Sequence, residues 1–414
     1  MFLKGEKKML LSLGAIFVVG MLLGKVCNKV KIPSLLGILI TGMLLGPYVF
    51  NILDPKILDI SAELRKIALI IILMRAGLNL DMKDLKRVGR PAILMCFVPA
   101  CFEIIGMILL APKFLGITVL EAAIMGTVVA AVSPAVIVPR MLKLMETGYG
   151  TKESIPQMIM AGASVDDVFV IVLFTAFTSL AQGGTITPAS FIVIPTSIVL
   201  GLIGGALIGI VLHILFFHYH MRDSEKVLIL LATAFFLVTI EDHTSEFLSM
   251  ISGGILSNVG FSGLLAVMAM GAILRRKRIE VAVRLSEKFS RLWVGAEVLL
   301  FALVGATVNI EYAMTAGVVS VILILCVSVF RMTGVFICLL GTSLNKKERI
   351  FSGMAYLPKA TVQAAIGGLP LAMGLACGEM VLTVAVVSIL VTAPIGAKLI
   401  DASYQKLLTK ENRG

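Results

Sequence analysis

The stretch Ala161-Gly-Ala-Ser-Val-Asp-Asp-Val-Phe-Val-Ile171 sets two adjacent carboxylates, Asp166 and Asp167, inside an apolar run that continues through Val172, Leu173 and Phe174. Whether that run lies in water or in lipid decides the fold. The 414 residues are 58% hydrophobic and only 15% charged, with a mean hydropathy of +1.03. A soluble chain carries about 25% charged residues, so this one lacks the polar surface to face water all round. Apolar runs recur along the whole sequence, most of them near the ~20 residues a helix needs to cross the hydrocarbon core. A membrane-spanning barrel would alternate apolar and polar residues, and these runs are continuously apolar. The fold class is all-α integral membrane.

Periodicity and hydropathy predict about thirteen spans, at roughly 8–26, 35–50, 62–79, 91–111, 118–143, 155–181, 189–217, 226–241, 258–275, 292–308, 313–341, 351–374 and 379–400. No intervening stretch is long enough for a soluble domain, so residues 1–414 form a single membrane domain. Lys4, Lys7 and Lys8 before the first run resemble a secretory signal, but no small-residue cleavage site follows, and a retained first span is expected. The net charge of +11 sits in alternate loops, which speaks for membrane orientation and against nucleic acid. Lys29 and Lys31, Lys83 to Arg90, Lys152, Arg222, Arg275 to Lys288 and Lys346 to Arg349 mark one side. The positive-inside rule makes that side cytoplasmic, with the C-terminus inside and the N-terminus outside. Lys4, Lys7 and Lys8 dissent. Cys27, Cys96, Cys101, Cys326, Cys338 and Cys377 have no metal or disulfide spacing and read as small apolar residues.

Sliding the sequence 228 places along itself brings Glu103 onto Arg331, Ser133 onto Thr361 and Asp166 onto Pro394. The shift covers seven spans, an odd number, so the two copies run upside down relative to each other. Inverted repeats with interrupted helices are a common plan of secondary transporters.

Four signals carry chemistry. A mid-span Asp costs roughly 2.5–3.5 kcal/mol on insertion scales, so Asp166 and Asp167 are not packing residues. Such a pair can hold a proton or trade it for a cation, to which carboxylates supply oxygen ligands. The bland reading starts the span later and leaves both acids at the surface. In Ala130-Ala-Val-Ser-Pro-Ala-Val-Ile-Val-Pro-Arg140, Pro134 and Pro139 predict a helix broken near its middle, where freed carbonyls and Ser133 become ligands. A structural kink is the bland alternative. Tyr356-Leu-Pro-Lys-Ala-Thr-Val-Gln-Ala-Ala-Ile-Gly367 is a second breakable stretch carrying Pro358, Lys359, Thr361 and Gln363. Lys359 could meet a negative half-helix end or snorkel to the surface. Glu103 and Arg331 are lone charges in apolar runs, expected to pair as a clamp between the repeats. Glycines 201, 204, 205 and 209 read as close helix packing. His218 and His220 sit at a span end, where they are ordinary residues or pH sensors. Arg275, Arg276, Lys277 and Arg278 read as orientation charge, with anionic lipid as a possible partner.

An intramembrane aspartyl protease also needs two carboxylates, but adjacent helical residues point about 100° apart and cannot face one peptide bond. A solute symporter or a cation channel of related fold stays open on these residues.

Together the three motifs resemble the monovalent cation/proton antiporter superfamily. Residues 130–144, 161–171 and 356–367 are similar to the sodium/proton exchangers of solute carrier family nine, subfamily B, and their bacterial relatives. The resemblance implies two crossed, broken helices and a homodimer. Core helices (roughly 91–181 and 313–400) would move against dimerisation or scaffold helices (roughly 8–79 and 189–308) in an elevator-like displacement. It implies exchange of Na⁺ or Li⁺ for H⁺ with no cofactor, in the plasma (inner) membrane. Asp167 would be the principal carrier with Asp166 beside it, and Ser133, Val132 and Ser164 would be further binding residues. Glu103, Arg331, Lys359, Thr361, Gln363 and Pro134 would support them. Many bacterial cousins have Lys where Arg331 stands.

Overall fold

A computed structural model of the chain describes residues 9–80, 89–182, 190–252 and 261–411. The described residues are helical, with a single isolated bridge between Tyr149 and Lys410 and no strand. In chain order the helices are α1 Met9–Lys29, α2 Ser34–Leu45, α3 Pro55–Asp59, α4 Ser61–Asn79, α5 Arg90–Met95 and α6 Val98–Leu115. They continue with α7 Val119–Ala130, α8 Pro134–Thr147, α9 Ile155–Ala181, α10 Ser190–His218, α11 Asp223–Ser252 and α12 Gly263–Lys277. The last are α13 Ile279–Thr307, α14 Ile310–Cys338, α15 Lys346–Ala355, α16 Thr361–Ile366, α17 Leu369–Ala372 and α18 Gly378–Leu407.

Among the described residues, 8 helical stretches are long and apolar enough to cross a membrane, fewer than the predicted thirteen. Several expected spans are real helices that miss on length or charge. Ser34–Leu45 and Thr361–Ala372 are short, α12 has 15 residues, and α4 carries Glu63, Arg65, Lys66 and Arg75. Lys4, Lys7, Lys8, Lys83, Lys86 and Arg87 lie outside the described residues.

The chain forms two compact units. One comprises 1–65, 84–174 and 297–414; the other comprises 66–83 and 175–296. In the first, α6 packs along α14 because small residues remove the obstacle between them. A Cβ on Gly106 would lie 2.7 Å from the Phe330 ring, and one on Gly334 would lie 2.8 Å from the Pro99 backbone. This close approach brings the two lone charges of those helices, Glu103 and Arg331, within reach of each other. In the second unit α10 packs against α12. A Cβ on Gly201 would meet the Ser262 carbonyl at 2.6 Å, and one on Gly209 would meet the Met270 carbonyl at 2.9 Å. Glycines 201, 205 and 209 thus serve close helix packing, as expected; Gly204 faces the Phe261 ring.

Candidate functional site

Two interrupted helices build the site. α7 stops at Ala130; Ala131 and Ser133 are extended, and α8 starts at Pro134. Pro134 occupies the first helical position, where its missing N–H has no partner to lose. Pro139, expected to help break the helix, lies inside a continuous α8; it removes one internal bond without ending the helix. The second interruption separates α15 from α16 over residues 356–360. The two unwound stretches meet, the Ser133 amide donating to the Pro358 carbonyl at 2.8 Å.

The carboxyl-terminal end of α7 carries a partial negative charge and carbonyls without helical partners. Those of Val129 and Ala130, and that of Ala131 just beyond, are answered by side chains from far along the chain. Lys359 Nζ donates to the Val129 carbonyl at 2.8 Å. Gln363 Nε2 donates to the carbonyls of Val129 at 3.1 Å and Ala131 at 2.8 Å. Arg331 Nη1 donates to the Ala130 carbonyl. Lys359 therefore meets a half-helix end and does not snorkel; its side chain is fully buried.

The charges form one connected network. Arg331 Nη1 donates to Glu103 Oε2 at 2.9 Å, Nη2 to Asp166 Oδ2 at 2.7 Å, and Nε to the Tyr356 carbonyl at 2.7 Å. Its guanidinium also lies 5.3 Å over the Tyr356 ring. Lys359 Nζ sits 2.6 Å from Glu103 Oε1. The expected Glu103–Arg331 pair is present, but the expectation was too narrow. Arg331 grips the first aspartate as well, and Glu103 serves two cations.

Asp166 is fully buried and Asp167 is 8% exposed, so the reading that left both acids at the surface does not hold. Asp166 Oδ2 also accepts from the Val132 amide at 2.9 Å, which gives Val132 its place. Asp167 has no ion pair among the described residues. Apart from Glu103 Oε1, which is ion-paired with Lys359, five buried oxygens in this region have no hydrogen-bond partner among the described residues: Asp166 Oδ1, Asp167 Oδ1, Ser133 Oγ, Thr361 Oγ1 and Gln363 Oε1. The side chain of Ser164 lies outside the described residues.

Thr392 was not singled out from the sequence. Its Oγ1 accepts from the Lys359 amide at 3.0 Å and so holds the second unwound stretch against α18. The internal repeat could have found it, because the shift that aligns Asp166 with Pro394 also aligns Ser164 with Thr392.

Two interrupted helices meeting at a buried carboxylate, among helices long and apolar enough to cross a membrane, define a multi-pass membrane protein. Residues 14–400 match the family model described as sodium/hydrogen exchanger, transmembrane, and the chain belongs to that family. It is 34% identical over 361 residues to human sodium/hydrogen exchanger 9B2, covering 84% of this chain and 65% of that relative. Human sodium/hydrogen exchanger 9B1 is 32% identical over 365 residues, with 84% and 67% covered. The structure of the sodium proton antiporter MjNhaP1 from Methanocaldococcus jannaschii at pH 8 superposes with a TM-score of 0.81 at 20% identity, over 96% of this chain and 98% of that one. That likeness establishes the fold.

Proposed function

We propose that the chain is a secondary transporter exchanging Na⁺ or Li⁺ for H⁺ by alternating access, one cation for one proton, with Asp167 as carrier and Asp166 beside it. The observation that carries this reading is the set of buried, partnerless oxygens around the crossing. Two carboxylates, two hydroxyls and an amide oxygen are hard donors of the kind small alkali cations accept. Asp166 is held by Arg331 and the Val132 amide, which keeps its charge compensated. Asp167 lacks such a partner among the described residues, so a proton or a cation must take that role when it is buried. Ser133, Thr361 and Gln363 come from the two interrupted helices, so a small displacement of either alters the donor set.

The finer architecture belongs to the same reading. The 228-residue spacing of Glu103 and Arg331 supports an inverted repeat of about thirteen spans with two crossed helices. Family resemblance supports a homodimer in the plasma (inner) membrane, with core helices at 91–181 and 313–400 moving against a scaffold. The alternating loop charges support a cytoplasmic C-terminus and an external N-terminus. The run Arg275 to Arg278 supports contact with anionic lipid.

The test is a pH-gradient assay in proteoliposomes with Na⁺, Li⁺ and K⁺ in turn. Dissipation of the gradient on adding Na⁺ or Li⁺ is expected, and Asp167→Asn should abolish it while the protein stays folded. A cation current without proton movement would make the protein a channel, and normal exchange by Asp167→Asn would remove that residue from its role.

A further inference from the structure

Within the first unit, the residues after α18 fold back over the ends of α8 and α15 that point away from the crossing. Gly148 and Gly150 both adopt left-handed backbone, with φ of 76° and 68°, and together they shape a slot for the returning chain. A Cβ on Gly148 would lie 2.8 Å from the Glu411 carbonyl oxygen, and one on Gly150 would lie 3.3 Å from Leu408 Cδ1. In that slot the Gly150 amide donates to the Thr409 carbonyl and the Glu411 amide to the Gly148 carbonyl, each at 2.8 Å. Thr151 Oγ1 donates to Glu411 Oε2 at 2.7 Å.

The same stretch reaches α15. Glu348, in the first turn of that helix, is 3% exposed. Its Oε2 accepts from the Asn345 amide at 3.0 Å and its Oε1 from the Thr409 hydroxyl at 2.8 Å. Ser343 Oγ, just before α15, donates to Glu153 Oε2, just after α8. Beneath these contacts Leu408 is buried in one apolar cluster with Ile155, Phe351 and Tyr356, and the Tyr356 carbonyl is the one that takes Arg331 Nε.

The two helix ends do not need this stretch for their own caps. Asn345 and Glu348 cap α15 reciprocally, and Gly148 ends α8 in a left-handed turn. The Thr409 hydroxyl and the paired backbone therefore tie one end to the other. α8 has 14 residues and α15 has 10, about 21 and 15 Å of helix. A slip at the tied ends would be carried along such short rigid rods to the break, where differences of a few tenths of an ångström, on the order of those separating Mg²⁺ from Ca²⁺ sites, decide cation binding.

We propose that Leu408 to Glu411 form a clasp that stays closed through the transport cycle and fixes α8 against α15, with Thr409 as a positioning residue for the donors at the crossing. The inference rests on the exchange reading given above.

The experiment measures Na⁺-driven proton flux in proteoliposomes for wild type, a chain stopped after Leu407, Thr409→Val and Thr409→Ser. Loss of the clasp should raise the apparent KM for Na⁺ about threefold or more, with the rate per folded protein at saturating Na⁺ within about twofold of wild type. Thr409→Val should move KM the same way, because it leaves a Glu348 oxygen buried and unpaired. Thr409→Ser keeps the hydroxyl and should behave as wild type. An unchanged KM in the shortened chain and in Thr409→Val would overturn the proposal, since a merely structural role lowers the amount of folded protein alone. If the shortened chain does not fold, Thr409→Val against Thr409→Ser decides. Closure is tested with Tyr149→Cys and Lys410→Cys in a background without the native cysteines. These residues face each other across the isolated bridge, where opposed α carbons lie about 4.5–5.5 Å apart, within the span of a disulfide. Oxidation should cross-link them and leave the flux unchanged. Failure to cross-link, or a loss of flux that reductant restores, would overturn the closed clasp. Amide exchange supplies a readout without transport: Thr409→Val should exchange faster than wild type over residues 131–133 and 356–360. Unchanged exchange would overturn the positioning role. Faster exchange there, with no Na⁺-driven flux in wild type itself, would instead locate the failure in the exchange reading.

Discussion

At the scale of single residues, the burial of Glu103, Arg331, Asp166 and Lys359 leaves each charge dependent on the others. Glu103→Gln leaves Arg331 and Lys359 both short of a counter-charge and is expected to destabilise by about 3–5 kcal/mol. Arg331→Met should cost a similar amount, since Asp166 and Glu103 then both lose their guanidinium. The double variant should cost less than the sum of the two, by a coupling of roughly 0.5–3 kcal/mol. It should not return to wild type, because Lys359 still lacks its carboxylate, and adding Lys359→Met should recover part of the remainder. Thermal unfolding in detergent reads all three steps, and strictly additive losses would show that the contacts are not coupled. Lone charges in apolar runs announce themselves in a sequence, so Glu103, Arg331 and the aspartates were legible. Their wiring was not. Arg331 reaches four partners, Glu103, Asp166, Ala130 and Tyr356, and nothing local to position 331 says which of several buried acids its forked guanidinium will meet. Thr392 was missed because a threonine in an apolar helix ordinarily bonds back to its own preceding turn. This one does so too, donating to the Ser388 carbonyl at 2.8 Å while accepting from Lys359.

At the scale of elements, the interruptions were legible from proline, although the two prolines of the first motif differ. Pro134 starts a helix, which its fixed φ favours, whereas Pro139 sits in the sixth position of α8 and is absorbed. What holds Ala131 to Ser133 extended is tertiary: the Val132 amide is bound by Asp166 and the Ser133 amide by Pro358. Helix packing in the second unit depends on glycine in a way that can be measured. A Cβ on Gly205 would lie 2.6 Å from the Ala266 α carbon, so Gly205→Ala must push α10 from α12. Overpacking of this kind costs about 1–3 kcal/mol, expected as a lowered melting temperature in detergent. Gly295 has open space around its missing Cβ, and Gly295→Ala provides the control, which should melt at or above the wild-type temperature. Equal melting of the Gly205→Ala and wild-type proteins would mean that α10 and α12 are not locked at this contact.

At the scale of the whole molecule, the network bears on the charge moved per cycle. A lysine in contact with the first aspartate can deprotonate when that contact breaks, adding a second proton to the exchange. Here the first aspartate is paired with an arginine, which stays protonated in proteins. The one buried lysine of the network is bound to Glu103 at 2.6 Å. Under the exchange reading the cycle is electroneutral. Cation-driven proton flux in proteoliposomes should have the same rate and end-point at zero potential and under a potassium–valinomycin potential. A strong dependence on potential would instead point to Lys359 as a second carrier. The sequence displayed the all-helical membrane class through its continuous apolar runs. Hydropathy does not distinguish full-length spans from short helices such as Ser34–Leu45 and Thr361–Ala372, which share the apolar composition of long ones without their length.

The carbonyls of α7 that close the crossing also impose an order on biogenesis. Val129, Ala130 and Ala131 are capped by Lys359, Arg331 and Gln363, which lie 230, 201 and 232 residues later in the chain. At a synthesis rate of about 5–20 residues per second, those caps emerge roughly 10–45 s after the carbonyls they serve. Throughout that interval a half-helix of 12 residues, about 18 Å long against a hydrocarbon core of about 30 Å, presents bare acceptors within the bilayer. Nascent chains arrested between residues 200 and 320 should therefore be recognised by membrane quality-control proteases, and chains arrested beyond residue 400 should escape them.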